Sequence, residues 1–361
     1  LKELKDEAKI LEFVINSQNQ TIVEEILEYK PKIVLISTYI WNAQDVAEIV
    51  KYIKLISPNT IVALGGPEIS HLPHRVDFEM ADYFMFGEGE ISVYNLCKNI
   101  LGGIRSKDKI IHAKPVEFDK IALPYDYYTD FDIKNRHIYI ESSRGCPFTC
   151  EFCLSSIDSS MRYLPIDVFL NEIDKLWNRG ARNYKFIDRT FNLKISYAKA
   201  ILDYFLAKDE DYFLHFEVIP DNFPLELRQR LKKFKAGSLQ LEVGIQTLNL
   251  DVAKNINRNL KIDKIKENLA FLSSETNAHM HIDLIVGLPS ETIDSFAQNL
   301  NLLYTLSSGE IQIGILKKLS GTTLNRHDEL HGMVYNPNPP YDILKNNLVS
   351  FTLMQDMKRF A

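Results

Sequence analysis

The sequence has no apolar run of the ~18 residues that a membrane-spanning helix requires. Its first residues, Leu1–Ala8, form a charged helical pattern without the apolar segment of a secretory leader. Cysteine is scarce: four in 361 residues, three of them (Cys146, Cys150 and Cys153) within eight positions. A disulfide framework spreads its cysteines to tie distant segments together. A tight cluster in a cysteine-poor chain reads instead as a metal site in a reducing compartment, with the cytoplasm the simplest location. Repeats and low-complexity tracts are absent, which excludes solenoids and arrays. Positive charge is not in excess either. A formal net charge of -6 gives no general footing on nucleic acid or an acidic membrane, though it leaves room for a local basic groove.

What is present is an ordinary globular composition, 45% hydrophobic and 25% charged, over a length that suits two domains. The first hundred residues alternate β-branched runs with amphipathic stretches. Strands are expected at Ile10–Ile15, Lys32–Ser37, Thr60–Leu64 and Tyr83–Phe86, and helices at Gln20–Tyr29, Ala43–Ile56 and from Glu90 to about Ile100. Such alternation implies a parallel sheet covered on both faces, with ligands at the carboxyl ends of its strands. The pattern fails from Leu101 to Asn135, which reads as a connection. It resumes with six expected strands, His137–Ser142, Tyr184–Asp188, Phe213–Ile219, Leu239–Ile245, His279–Val286 and Ile311–Leu316, separated by amphipathic stretches. Six strands in such a series suggest a closed or partly closed β/α barrel, with chemistry at the strand C-terminal ends. The expected divisions are residues 1–103, a linker 104–135, a barrel 136–330 and a helical C-terminal extension 331–361. The chain starts on Leu and stops just after the apolar-patterned Tyr341–Phe360, so both ends are expected to be cut relative to the natural protein.

The cysteines stand in Ser143-Arg-Gly-Cys146-Pro-Phe-Thr-Cys150-Glu-Phe-Cys153, directly after the first expected barrel strand. Iron–sulfur cubanes usually take four thiolates. Three close cysteines, with the remaining Cys97 in the other domain, would leave one iron without a protein ligand, and an open position is what a catalytic metal needs. A zinc site completed by a histidine is the competing reading, although no second Cys or His pair lies nearby.

At this motif the chain resembles the radical S-adenosylmethionine superfamily, whose C-x3-C-x2-C loop follows the first strand of a six-stranded partial barrel. The resemblance implies a 4Fe-4S cluster on Cys146, Cys150 and Cys153 and reductive cleavage of S-adenosylmethionine to a 5′-deoxyadenosyl radical. It also implies an electron donor such as flavodoxin or ferredoxin. Further matches run to about Arg326. Phe152 fits the aromatic beside the adenine. Phe186-Ile-Asp188 resembles the stretch that meets the methionine amino group, and Glu242-Val-Gly244-Ile-Gln246 the stretch near the ribose. Arg258 fits an arginine on the methionine carboxylate, and Asp283-Leu-Ile-Val-Gly287-Leu-Pro289 the turn beside the adenine. Asp188, Glu217 and Asp283 are equally compatible with helix capping after strands.

The first hundred residues resemble the doubly wound, cobalamin-binding domain that precedes the barrel in one branch of that superfamily, here closest to an uncharacterised bacterial subgroup. Ser37, Gly65-Gly66 and Glu88-Gly89 carry this likeness, with glycines that let backbone approach a flat corrin. The D-x-H-x-x-G motif that would supply a cobalt-ligating histidine is missing, and the family's first strand is expected to lie before Leu1. The function so implied is a radical enzyme, cobalamin-dependent, with methyl transfer to an unactivated carbon the favoured reaction and the substrate open. The alternatives are a radical enzyme without cobalamin and a non-enzymatic iron–sulfur or zinc sensor. Cys97 reads as a core thiol, and His215, His279 and His281 as structural residues of barrel strands.

Overall fold

The computed structural model describes every residue from Leu1 to Ala361. The β-branched runs of the first third assemble one unit, Leu1–Ile121 with residues 319–321 and 336–342. Its elements are α1 (Asn19–Glu28), β1 (Ile33–Ser37), α2 (Ala43–Ile56), β2 (Ile61–Gly65), β3 (Tyr83–Phe86), α3 (Gly89–Leu101) and β4 (Ile110–His112). The strands form a parallel sheet in the order β1-β2-β3-β4. Apolar residues of α1 and α2, among them Val23, Val46 and Ile53, pack with Val62, Leu64 and Phe84 on one face. Val93, Leu96 and Ile100 of α3 pack with Ile61, Ala63 and Met85 on the other. Residues 61–64 are therefore all buried, which is why their sequence is a continuous apolar run and not an alternation.

Two expectations fail here. Residues 10–15 form no strand: Ile10, Val14 and Ile15 are exposed, and the segment enters no ladder. A β-branched run alone does not make a strand; packing and pairing decide it. Conversely, β4 forms inside the stretch expected to be a connection, because its three residues find the open edge of β3.

The second unit comprises Ala122–Lys318, 322–335 and 343–361. Its elements are α4 (Asp130–Asn135), β5 (Ile138–Ile140), β6 (Ser143–Arg144), β7 (Arg162–Tyr163), α5 (Ile166–Asn178), β8 (Asn183–Phe186), α6 (Ile195–Leu206), β9 (Phe213–Val218), α7 (Leu225–Leu231), β10 (Leu239–Gln246), α8 (Leu250–Asn255), α9 (Ile262–Glu275), β11 (His279–Val286), α10 (Ile293–Leu306) and β12 (Glu310–Ile315), then α11 (Asp328–His331), β13 (Val334–Tyr335), β14 (Ile343–Lys345) and α12 (Phe351–Phe360). Six parallel strands lie in the order β12-β11-β10-β9-β8-β5, and the two outer strands do not pair, so the barrel stays open.

Alternation decides which face is which. Along β10, Leu239, Leu241, Val243 and Ile245 are buried while Gln240, Glu242, Gly244 and Gln246 are half-buried. Along β11, Met280, Ile282, Leu284 and Val286 are buried, and His281, Asp283 and Ile285 are half-buried. The apolar set faces the helices; the other set, polar for the most part, lines the concave side. A filled barrel packs branched apolar residues inside, whereas this one keeps charged groups there.

The ends of this unit depart from expectation. Residues 331–361 hold the antiparallel pair β13–β14 before α12, where a helical extension was expected. The stretch expected as a linker, 104–135, divides between the units, and its Phe118, Tyr125 and Ile133 are buried. No helix is long and apolar enough to cross a membrane.

Candidate active site

The cysteines sit on the loop between β6 and β7, two short antiparallel strands that clamp its base. Gly145 opens the loop at φ +94, and a Cβ there would stand 1.8 Å from the Ser160 carbonyl oxygen. Only glycine fits so close an approach. The Cys146 N–H donates to the Asp158 carbonyl at 2.9 Å. Cys146 and Cys150 are each 8% exposed, Cys153 is half-buried, and all are free thiols. Burial pushes the Cys146 thiol up, and Cys153 and Cys150 oppose its ionisation further, while Arg258 favours it. Three thiolates brought together in a low-dielectric loop need compensating positive charge, which an iron–sulfur cluster supplies. The one set of His, Cys, Asp or Glu ligand atoms lying within 4.8 Å of one another is His279, His281 and Glu310.

Glu151, between the second and third cysteines, is 7% exposed. Its carboxylate accepts from Arg326 Nε at 2.9 Å and pairs with His327 Nε2 at 2.7 Å. The pattern around the cysteines offers no signal for this anchor, whose partners lie 175 residues away. Asn257 donates to the Thr149 hydroxyl at 2.7 Å, and the Glu151 N–H donates to the Ile256 carbonyl at 3.2 Å. The loop is thus held from α8 and from the segment before α11.

Of the residues outside the cysteine loop expected to meet S-adenosylmethionine, Arg258 reaches a cysteine. Its Nη1 stands 3.5 Å from Cys150 Sγ, its Nη2 donates to the Gly244 carbonyl, and its buried Nε–H has no partner. Gln246 ends β10 at a bulge against β11 with φ +68, a left-handed conformation that costs a non-glycine residue roughly 1 kcal/mol. Glu242 accepts from His215 Nε2 at 2.8 Å, which lowers its carboxyl below the usual range. Phe152 is half-buried on the cysteine loop. Gly287, after β11, lies under Ile343 and Met354.

Asp188 behaves differently. It is 1% exposed, and its oxygens accept from the Ser142 N–H at 3.0 Å and from the Ser142 and Ser143 hydroxyls at 2.6 and 2.5 Å. Burial pushes its carboxyl up, against the pull of these bonds. It ties the end of β8 to the segment that leads into the cysteines.

Beside Glu242 on the concave side stand Glu217 and Asp283. Burial, then the charges of Glu242 and Glu217, pushes Asp283 up to about 7. Glu217 is likewise raised by burial although Arg189 pairs with it at 2.6 Å. A buried Glu291, pushed up to about 7 by burial, bonds to Thr247 at 2.7 Å and Asn299 at 2.9 Å just behind. Perturbed carboxyls gathered on a concave face make it a candidate functional site.

In the first unit, Ser37, Gly65 and Gly66 lie at the ends of β1 and β2 and Glu88-Gly89 at the start of α3. A Cβ on Gly66 would lie 2.5 Å from the Thr38 carbonyl oxygen, so the two loops touch through backbone. Thr38 is fully buried with an unpartnered hydroxyl. Tyr39 and Trp41 stack at 4.5 Å and 6°, with Trp41 55% exposed. A flat aromatic pair, Trp41 exposed and Tyr39 half-buried, beside glycine-rich strand ends suits a large planar ligand. Glu88 instead spends its carboxylate on the Val116 N–H at 2.8 Å.

Taken together, the second unit is an open parallel β/α barrel with a three-cysteine loop past its first strand. Residues 140–303 match the model of the Radical SAM superfamily, and residues 1–96 match that of the B12 binding domain. The chain carries a radical SAM superfamily domain behind a B12-binding domain, and the cofactors of these domains are a 4Fe-4S cluster, S-adenosylmethionine and cobalamin. It is 24% identical over 337 residues to the cobalamin-dependent radical SAM methyltransferase TokK of Streptomyces tokunonensis, covering 82% of this chain and 48% of that protein. It is 25% identical over 333 residues to the uncharacterized methyltransferase PH0819 of Pyrococcus horikoshii, covering 84% and 70%. Its fold resembles that of the radical S-adenosylmethionine methyltransferase TsrM of Kitasatospora setae with a TM-score of 0.68 at 15% identity, over 88% of this chain and 69% of that one. Against TokK the chain spans about half the relative's length.

Proposed function

We propose that the protein cleaves S-adenosylmethionine reductively at a cluster on Cys146, Cys150 and Cys153, and that with cobalamin it transfers a methyl group to an unactivated carbon. The observation that carries this reading is the set of three free, largely buried thiols on one loop with the Arg258 guanidinium 3.5 Å from Cys150 Sγ. Once bound, the cluster supplies an iron with an open position and one electron, and cobalamin supplies a carrier for the methyl group.

The chain's own residues bind, orient and exclude water. Arg258, with an unpartnered Nε–H, suits the methionine carboxylate, because a planar guanidinium grips a carboxylate through two bonds. Gln246 at the end of β10 and Glu242 midway along it are ribose candidates, and Phe152 and Gly287 adenine candidates. Asp188 acts through Ser142 and Ser143 and not on the cosubstrate directly. Glu217 and Asp283 remain for the substrate side of the cavity. In the first unit Ser37, Gly65, Gly66 and Gly89, with the Tyr39–Trp41 stack, are the corrin candidates. The free thiols suit a reducing cytoplasm, and a flavodoxin or ferredoxin suits the electron supply. The acidic net charge argues against nucleic acid as a general partner.

Anaerobic reconstitution tests this reading. It expects about four irons per chain, 5′-deoxyadenosine on reduction with S-adenosylmethionine, and S-adenosylhomocysteine once cobalamin and an acceptor are present. Stoichiometric zinc without 5′-deoxyadenosine would sink the radical reading. Absence of cobalamin binding to the protein would leave the cleavage and remove the methyl transfer.

A further inference from the structure

At the end of the barrel strands away from the cysteine loop, three side chains converge that the reaction above does not use. His279 and Glu310 are the first residues of β11 and β12. His281, two residues along β11, shares a face with His279 by strand alternation. The parallel register sets His281 beside Glu310. The two imidazole Nε2 atoms are 2.9 Å apart, and Glu310 Oε2 stands 3.7 Å from one and 3.6 Å from the other. Two nitrogens bound to one zinc at about 2.1 Å would lie ~3.0–3.4 Å apart, so these atoms need shift by only a few tenths of an ångström.

The surroundings support coordination. His281 is the least exposed member, at 17%, and its Nδ1 lies 3.1 Å from the side-chain amide nitrogen of Gln240 and 2.5 Å from that of Gln312. An imidazole nitrogen serves one such partner at a time. An amide flip, which exchanges oxygen for nitrogen in the same volume, turns an acceptor to Nδ1; Nδ1 then keeps the proton and Nε2 presents its lone pair, which is how metal-bound imidazoles are held. His279 and Glu310 are exposed, giving an entering ion access. A cleft of about 480 Å³, lined among others by Gln240, His279, Ser308 and Gly309, opens alongside and leaves room for water to complete the shell.

We propose that His279, His281 and Glu310 form a three-ligand site for a divalent transition metal, at the N-terminal mouth of the barrel. Two imidazoles and one carboxylate suit zinc and its neighbours; calcium and magnesium prefer oxygen alone. The site does not depend on the cluster. Along β11 the eight residues from His279 to Val286 span roughly 23 Å at ~3.3 Å per residue, so its loading and the cysteine chemistry are separable.

The test uses the full chain with its cluster assembled, so that the cysteines are occupied. It is dialysed against a small excess of zinc chloride and then analysed for zinc and iron. The proposal expects about one zinc per chain beyond the baseline, retained when Cys146, Cys150 and Cys153 are all changed to Ser. It expects loss of at least tenfold in affinity with His279→Ala or Glu310→Gln, exposed positions whose variants keep the fold by circular dichroism, and with His281→Ala. Cobalt in place of zinc should give visible absorption that vanishes in His279→Ala. Either no zinc above baseline, or zinc unchanged in the histidine variants and lost only with the cysteines, overturns the site and leaves a hydrogen-bonded imidazole pair. In both cases 5′-deoxyadenosine formation reports on the radical reading separately.

Discussion

Replacing Gly145 by Ala tests how the cysteine loop is held. The new methyl would lie 1.8 Å from the Ser160 carbonyl oxygen, at a backbone φ of +94. That oxygen belongs to the backbone, so no side-chain rotation relieves the overlap. The left-handed conformation alone costs a residue with a Cβ about 1–2 kcal/mol. Moving Ser160 away, or turning residue 145, also strains the Cys146 N–H bond to the Asp158 carbonyl at 2.9 Å, a contact worth about 0.5–1.5 kcal/mol. The sum, roughly 1.5–3.5 kcal/mol, falls on a single loop outside the unit's main core. Gly145→Ala should therefore keep the far-ultraviolet dichroism of the parent. It should lose most of its iron after reconstitution, with 5′-deoxyadenosine formation falling in proportion. Parental iron content and turnover in this variant would refute the claim that the close approach at Gly145 positions Cys146.

Glu151→Gln removes a buried carboxylate from Arg326 and His327; because Arg326 is 56% exposed and rehydrates, the loss should be about 1–3 kcal/mol. Thermal melts and iron analysis check this, and an unchanged melt with full iron would count against the anchor. Arg258→Lys trades a fork for a point charge, so the KM for S-adenosylmethionine should rise about tenfold or more at unchanged iron content; equal KM values would remove Arg258 from the cosubstrate. Asp283, at about 7 in the folded chain against 3.8 ordinarily, holds a proton that the unfolded chain releases between those values. Stability should thus fall as pH rises from about 4 to 7, by at most about 4 kcal/mol from this group. Asp283→Asn should abolish that part of the fall, and urea midpoints at pH 5 and pH 8 measure it; an identical pH dependence in both proteins would contradict the assignment.

Much of the architecture was legible because local pattern and burial coincide. The continuous run Ile61–Leu64 announced a strand covered on both faces, and the alternation Leu239–Gln246 announced one lining a cavity. Where pairing mattered more than pattern, reading failed. The run at residues 10–15 is as β-branched as its neighbours yet pairs with no strand, and Ile110–His112 is a strand through its pairing with β3. The cysteines were visible by spacing alone. Asp188 was expected to meet the cosubstrate, but the hydroxyls that occupy it lie 45 and 46 residues away.

The sequence by itself determined the three-cysteine loop, the two-domain α/β plan and the alternation that turns His281, Asp283 and Glu242 to one side. These follow from spacing along the backbone, where side-chain direction repeats with the strand. Tertiary structure alone decided which distant residues complete the sites: Arg258 beside Cys150, Arg326 and His327 on Glu151, Glu310 against His279 and His281. Parallel strands joined through helices bring positions dozens of residues apart into register. The partner of a given side chain is therefore set by which strands neighbour one another and in what register, and a single chain's pattern does not carry that information.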